Sequence, residues 1–98
     1  MQKQFPILSL VLVLISGTAA RAQRDKLDVA LGAAQHKEEV QGDLQGAIAA
    51  YKKVTADAGA NRAVAAKAQL RLGLCYEKLG AADASRVYKE LIARYADQ

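Results

Sequence analysis

Apolar residues recur at helical spacing from Arg24 to the end of the 98-residue chain. Residues three and four apart share one face of a helix, so this pattern predicts amphipathic helices. The pattern breaks where glycine stands beside short polar residues, which favour the end of one helix and the start of the next. The predicted helices are 25–41, 43–57, 62–79 and 82–96.

Each predicted helix carries one apolar face, and alanine, the best helix former, is abundant throughout. Proline is absent after Pro6, and no sustained alternation of apolar and polar residues indicates a strand. The fold class expected is therefore all-α. The residues expected on the apolar faces are Leu27, Ala30, Leu31 and Ala34; Leu44, Ala47, Ile48, Tyr51 and Val54; Ala68, Leu70, Leu72, Leu74, Cys75, Tyr76 and Leu79; and Ala84, Val87, Tyr88, Leu91, Ile92 and Tyr95.

The first residues form a different segment. A basic Lys3 precedes an apolar run, and Ala20-Arg21-Ala22 has the small residues that signal peptidases prefer. This predicts a bacterial signal peptide at 1–22 and a mature domain at 23–98, exported to the periplasm or secreted. The apolar run is shorter than the roughly 20 residues of a membrane span, so no stable span is expected after cleavage. An uncleaved N-terminal anchor is the alternative.

Charge narrows the range of partners. The formal net charge of +4 falls to +2 once Lys3 and Arg21 leave with the signal peptide. The remaining charges alternate in sign, as on a solvated helix face, and form no basic block. Nucleic acid is therefore not an expected partner.

Two stretches of the mature chain share one spacing. Gly42 to Val54 reads GDLQGAIAAYKKV, and Gly80 to Ile92 reads GAADASRVYKELI. Each has a glycine, an alanine four or five residues later, Tyr-Lys and then an aliphatic residue. The repetition predicts two stacked antiparallel helical hairpins, about 27–57 and 62–97. Gly73, in mid-helix, costs about 1 kcal/mol relative to alanine, which is tolerable where a facing helix approaches closely.

These positions resemble the signature of the tetratricopeptide repeat. The residues that carry the resemblance are Gly42, Ala47, Tyr51, Leu72, Gly73, Tyr76, Gly80, Ala84 and Tyr88. In the first unit Gln35 replaces the signature glycine and Glu38 the signature tyrosine, and the two units lie 37 or 38 residues apart rather than 34. The resemblance implies an α-solenoid fragment that acts as an exported scaffold or adaptor for a protein or peptide.

In that family the first helices of successive hairpins form a concave binding face. The candidate residues on this face are Gln35, Glu38, Lys67, Gln69 and Arg71. The alternative is an N-terminal oligomerisation or interaction segment, or a truncated piece, of a larger exported propeller or enzyme protein. It predicts an open apolar end near Val87, Leu91, Ile92 and Tyr95. Independently of that alternative, a homodimer could form through this C-terminal end.

Few side chains suit catalysis or metal binding. His36 is the only histidine and stands in a polar stretch, whereas Cys75 is the only cysteine and stands on an apolar face. A catalytic triad or a zinc site needs several such groups together. The chain is therefore expected to be no enzyme and to hold no cofactor or metal, with Cys75 buried and His36 at the surface.

Overall fold

Four α-helices make up most of the chain in a computed structural model, which describes residues 5–80 and 82–98, with side-chain surroundings from residue 19 onward. They are α1 (Phe5–Glu39), α2 (Leu44–Asp57), α3 (Arg62–Lys78) and α4 (Asp83–Tyr95). The described residues contain no strand. The all-α prediction is confirmed.

The predicted bounds hold for α2, α3 and α4 to within a residue, but not for α1. This helix begins at Phe5 rather than near residue 25, and it ends at Glu39 rather than residue 41. Residues 18–26 contain neither glycine nor proline, so nothing local interrupts the helix there. The predicted signal peptide lies partly outside the described residues, and its cleavage stays a prediction. No helix among the described residues is long and apolar enough to cross a membrane.

The turns between helices follow local signals in the sequence. Gly42 and Gly80 have φ of 66° and 69°, a left-handed conformation that costs other residues energy. The Asp43 side chain then accepts a hydrogen bond from the Gly46 N–H at 2.9 Å. Asn61 caps α3 in the same way through the Val64 N–H. These caps satisfy backbone donors that the first turn of a helix leaves free.

Consecutive helices pack on one another, and α3 also contacts α1. Helices α3 and α4 run antiparallel, since Arg62 pairs with Asp97 at one end and Gly73 meets Tyr88 farther along. The buried apolar residues form one cluster. Its members are Leu27, Leu31, Ala34, Ala47, Ile48, Tyr51, Val54, Ala58, Val64, Ala65, Ala68, Leu72, Cys75, Tyr76, Ala84 and Val87.

Gly73 is needed for close packing against α4. A Cβ atom at this position would lie 2.3 Å from Cε1 and 2.8 Å from Cδ1 of Tyr88. The predicted close approach of a facing helix is therefore confirmed.

Four residues expected on the apolar faces are instead exposed: Ala30, Leu70, Leu79 and Ile92. They lie at the margins of their helical faces, where no neighbouring helix covers them within the described residues. Two of them, Leu70 and Ile92, border a groove between α3 and α4.

Candidate binding surface and the buried Glu38 cluster

A buried carboxylate joins three helices. The Glu38 side chain is only 1% exposed. The Tyr51 hydroxyl donates to Glu38 Oε1 at 2.7 Å, and Lys78 Nζ donates to Oε2 at 2.6 Å. Since these residues lie on α1, α2 and α3, the carboxylate fixes the junction of all three helices. Two such donors offset much of the cost of removing a charge from water.

Arg71 extends this cluster towards the surface. Its Nε lies 3.2 Å from Glu38 Oε1, and its Nη2 contacts a carboxylate oxygen of Glu39. The Nε N–H is buried and makes no hydrogen bond within the described residues, so its contact with Glu38 is purely ionic. We call Glu38, Tyr51, Arg71 and Lys78 the Glu38 cluster.

The cluster shifts several ionisation equilibria. Burial favours the neutral Glu38 carboxyl, but hydrogen bonds from Lys78 and Tyr51 and the charge of Arg71 outweigh it, so the pKa is lowered. Burial, together with Glu38, raises the pKa of the Tyr51 hydroxyl. Burial and the charge of Glu38 raise the pKa of Cys75 to about 11. Cys75 is therefore a protonated thiol at neutral pH and a poor nucleophile.

Acid is expected to remove the stabilising effect of the Glu38 charge. Because the folded-state pKa lies below its ordinary value of 4.5, ionised Glu38 stabilises the fold at neutral pH, and this contribution is lost as the pH falls below that value and through the folded-state pKa. The Glu38→Gln variant has no carboxyl group at this position, so it lacks this pH-dependent contribution. Urea unfolding across a pH series should show the two proteins differing most near neutrality and converging in acid. A difference that does not change with pH would contradict this.

The residues predicted for a concave binding face have different surroundings. Lys67 is exposed and Gln35 is half-buried. The Arg71 side chain is 25% exposed and is held by its ion pairs with the two glutamates. Whether any of these residues binds a partner stays a prediction.

Glu38 and Gln69, which were predicted on the concave binding face, are instead buried. Glu38 is held in the cluster described above. Gln69 is 6% exposed, and its Nε2 donates to the Val87 carbonyl oxygen at 3.2 Å and to Glu90 at 3.3 Å. Both polar side chains therefore join helices rather than face solvent.

Two sequence signals could have indicated the burial of Glu38. It lies four residues after Ala34 and eleven after Leu27, which places all three on one face of α1. It also stands where the second repeat has Tyr76, which is 9% exposed. The sequence indicates the burial of Gln69 less clearly, because this residue lies beside Ala68 at the edge of an alanine-rich face.

An apolar groove runs between the last two helices. Its walls include Ala66, Lys67 and Leu70 of α3 and Leu91, Ile92 and Tyr95 of α4, and its volume is about 590 Å³. We call it the α3/α4 groove. Leu70 is 44% and Ile92 is 68% exposed, while Leu91 and Tyr95 are half-buried.

The apolar end predicted for the C-terminal hairpin corresponds to this groove, with one exception. Val87 is 1% exposed and belongs to the core, so its predicted place at an open end is wrong. Lys67 is the one residue of the predicted binding face that lines the groove.

His36 and Cys75 are not brought together as a reactive pair. His36 is exposed on α1, and Cys75 is fully buried on α3, which confirms the predicted surroundings of both. Among the described residues, no three histidine, cysteine or acidic side chains are grouped to hold a metal ion.

Fold and site together define an all-α protein with a buried ionic cluster and an open apolar groove. No family model matches the chain, and no match was found among curated proteins or solved structures. The similarity to tetratricopeptide repeats thus remains a resemblance carried by the residues named above.

Proposed function

We propose that this protein is an exported scaffold or adaptor, resembling tetratricopeptide-repeat proteins, which binds a protein or peptide segment and has no catalytic activity of its own. The α3/α4 groove is the observation that carries the proposal. Leu70 and Ile92 expose large apolar side chains beside Lys67. Contiguous exposed apolar surface bordered by polar residues is typical of protein interaction sites.

Helix packing supports the stacked hairpins of the proposal. Helix α3 contacts α2 and also α1, as expected if the second hairpin stacks on the first. Arg71 and Lys78 of α3 pair with Glu38 and Glu39 of α1, which adds an ionic link between the hairpins. A fixed position of α3 keeps one wall of the groove in place.

A second candidate function is an oligomerisation or interaction segment of a larger exported protein. The exposure of Ile92 and the half-burial of Leu91 and Tyr95 favour it, because they leave an apolar helix face open. The two functions differ in what covers the groove: a separate partner in the first, and further chain or another copy in the second.

Site-specific photo-crosslinking in cells that export the protein tests the proposed function. A benzophenone amino acid at Leu70 is expected to capture a discrete protein partner, because Leu70 lines the groove. The same probe at Ala56, an exposed position of α2, is the matched control. Equal capture at both positions, or none at Leu70, would contradict the proposal.

Affinity of the captured and purified partner provides a quantitative check. Leu70→Glu is expected to weaken binding about tenfold or more, since it places a charge in an apolar contact. Lys89→Glu, on an exposed part of α4 that does not line the groove, should leave the affinity unchanged. An equal affinity for both variants would remove the groove from the interaction.

A further inference from the structure

We infer that the α3/α4 groove receives the outer face of α1 and α2 from a second copy of this chain, so that the protein associates head to tail. The inference rests on the second candidate function, in which another copy of the chain covers this groove. We define the outer face by Lys26, Ala30 and Ala33 of α1 and Ala50 and Lys53 of α2, which line a shallow concavity of about 420 Å³.

The α4 wall of the groove repeats surface that is already covered in the first hairpin. With the 37-residue spacing of Tyr51 and Tyr88, Ile92 corresponds to Thr55 and Tyr95 to Ala58. Ala58 is 5% exposed and Thr55 is half-buried on α2, the helix against which α3 packs. Ile92 is 68% exposed. The second hairpin thus presents an uncovered equivalent of this surface.

By repeat spacing, the outer face corresponds to a surface of the second hairpin that is buried in the core. With the 37- and 38-residue spacings, Ala30 corresponds to Ala68 and Ala50 to Val87. Ala68 and Val87 are 0% and 1% exposed. Ala30 is exposed, and Ala50 is only partly buried. The first hairpin therefore offers small apolar side chains where the second hairpin makes its buried contacts.

One chain contains part of such a pairing in its core, where α3 of the second hairpin packs against α2 of the first. A second copy that places its outer face in the groove would repeat this pairing between molecules. Such contact is heterologous, because different surfaces of the two copies meet. Each dimer keeps one free groove and one free outer face, so further copies can add.

The charges on the two surfaces predict how self-association depends on salt. Lys67 at the groove and Lys26 at the outer face make no ion pair within the described residues, whereas Lys53 pairs with Asp57. Two surfaces that each carry an unpaired lysine repel weakly, and salt screens such repulsion. Added salt should therefore strengthen self-association, whereas it would weaken the binding of an acidic partner to Lys67.

Sedimentation velocity provides the test, using protein exported from the full-length gene, with its N-terminus determined by mass spectrometry. The wild-type average mass is expected to rise over a roughly hundredfold concentration range and to pass that of a dimer. Ile92→Glu blocks the groove and Ala30→Glu the outer face, and each variant alone should remain monomeric. Val40→Glu is the control, because Val40 is 71% exposed and lines neither surface.

Mixing the two blocked variants gives the decisive result. Ala30→Glu keeps its groove and Ile92→Glu keeps its outer face, so the mixture should form a dimer of one of each and nothing larger. Far-ultraviolet circular dichroism would establish that both variants remain helical.

Monomeric wild type at every concentration would overturn the inference. So would an Ala30→Glu variant that still dimerises, since the groove would then pair with itself. In either case, capture of a different protein by the probe at Leu70 would leave the proposed function standing. Absence of both self-association and capture would remove both.

Discussion

Replacing Glu38 with alanine is expected to lower the free energy of unfolding by about 3–5 kcal/mol, the usual cost of removing one partner from a buried ion pair. The change leaves the buried Tyr51 hydroxyl without its acceptor and removes the counter-charge of Lys78 and Arg71. A domain of this size has only about 5–15 kcal/mol of stability in total. Urea unfolding followed by circular dichroism would measure the loss.

Glu39→Ala is the matched control for that substitution. Glu39 is the neighbouring acidic residue and also pairs with Arg71, but its side chain is 57% exposed. Exposed ion pairs contribute at most about 1 kcal/mol. Similar losses for the two variants would show that burial gives Glu38 no special role.

Gly73→Ala is expected to destabilise the protein by roughly 1–2 kcal/mol, although alanine is the better helix former. The new methyl group would meet the Tyr88 ring at 2.3 Å, so the ring must move or the helices must separate. Tyr88 also donates a 2.7 Å hydrogen bond to Glu77, which restricts that movement. Thermal and urea unfolding would measure the change.

Gly32→Ala provides a control of opposite sign. Gly32 lies in α1, and a Cβ added there meets no atom within 4 Å. The substitution should raise stability by about 0.5–1 kcal/mol through helix propensity alone. Combining Gly73→Ala with Tyr88→Leu should cost less than the sum of the two single changes, because the clash is shared. Strict additivity would show that the alanine at position 73 does not clash with the Tyr88 ring.

Local chemistry explains why most of the helix bounds were predictable. Gly42 and Gly80, which have positive φ, follow the ends of α1 and α3. Asp43 caps the start of α2, and Asn61 caps the start of α3. These signals act within a few residues and can be read from the sequence. The start of α1 could not be predicted in the same way. An alanine-rich segment without a helix breaker connects the predicted signal peptide to the first predicted helix, so one continuous helix from Phe5 spans both.

The Glu38 cluster depends on contacts between residues that are far apart in the chain. Glu38 is buried because Tyr51 and Lys78, 13 and 40 residues away, donate to its carboxylate. A glutamate beside lysine and another glutamate otherwise indicates a solvated helix face. Gln69 is similar, because its partner carbonyl on Val87 lies 18 residues away. The sequence signals for the burial of Glu38 were its place on the α1 face of Leu27 and Ala34 and its repeat equivalence with Tyr76.

The open groove was predictable in part from the apolar periodicity of α4. Apolar residues at Leu91, Ile92 and Tyr95 continue the face that Val87 begins. Which of the four is buried depends on the rotation of α4 against α3. Gly73 and the Tyr88 ring help to set this rotation, and it leaves Val87 in the core and Ile92 exposed.

The proposed binding role depends most directly on α1 to α4 forming one folded unit, because the groove exists only while α3 and α4 are held together. Thermal unfolding followed by far-ultraviolet circular dichroism, at two concentrations about fifty-fold apart, tests this. We expect a single cooperative loss of helix at both concentrations, with a higher midpoint at the higher concentration because of self-association. A broad, gradual loss of helix at both concentrations would show that the hairpins do not form one unit, and it would contradict the account.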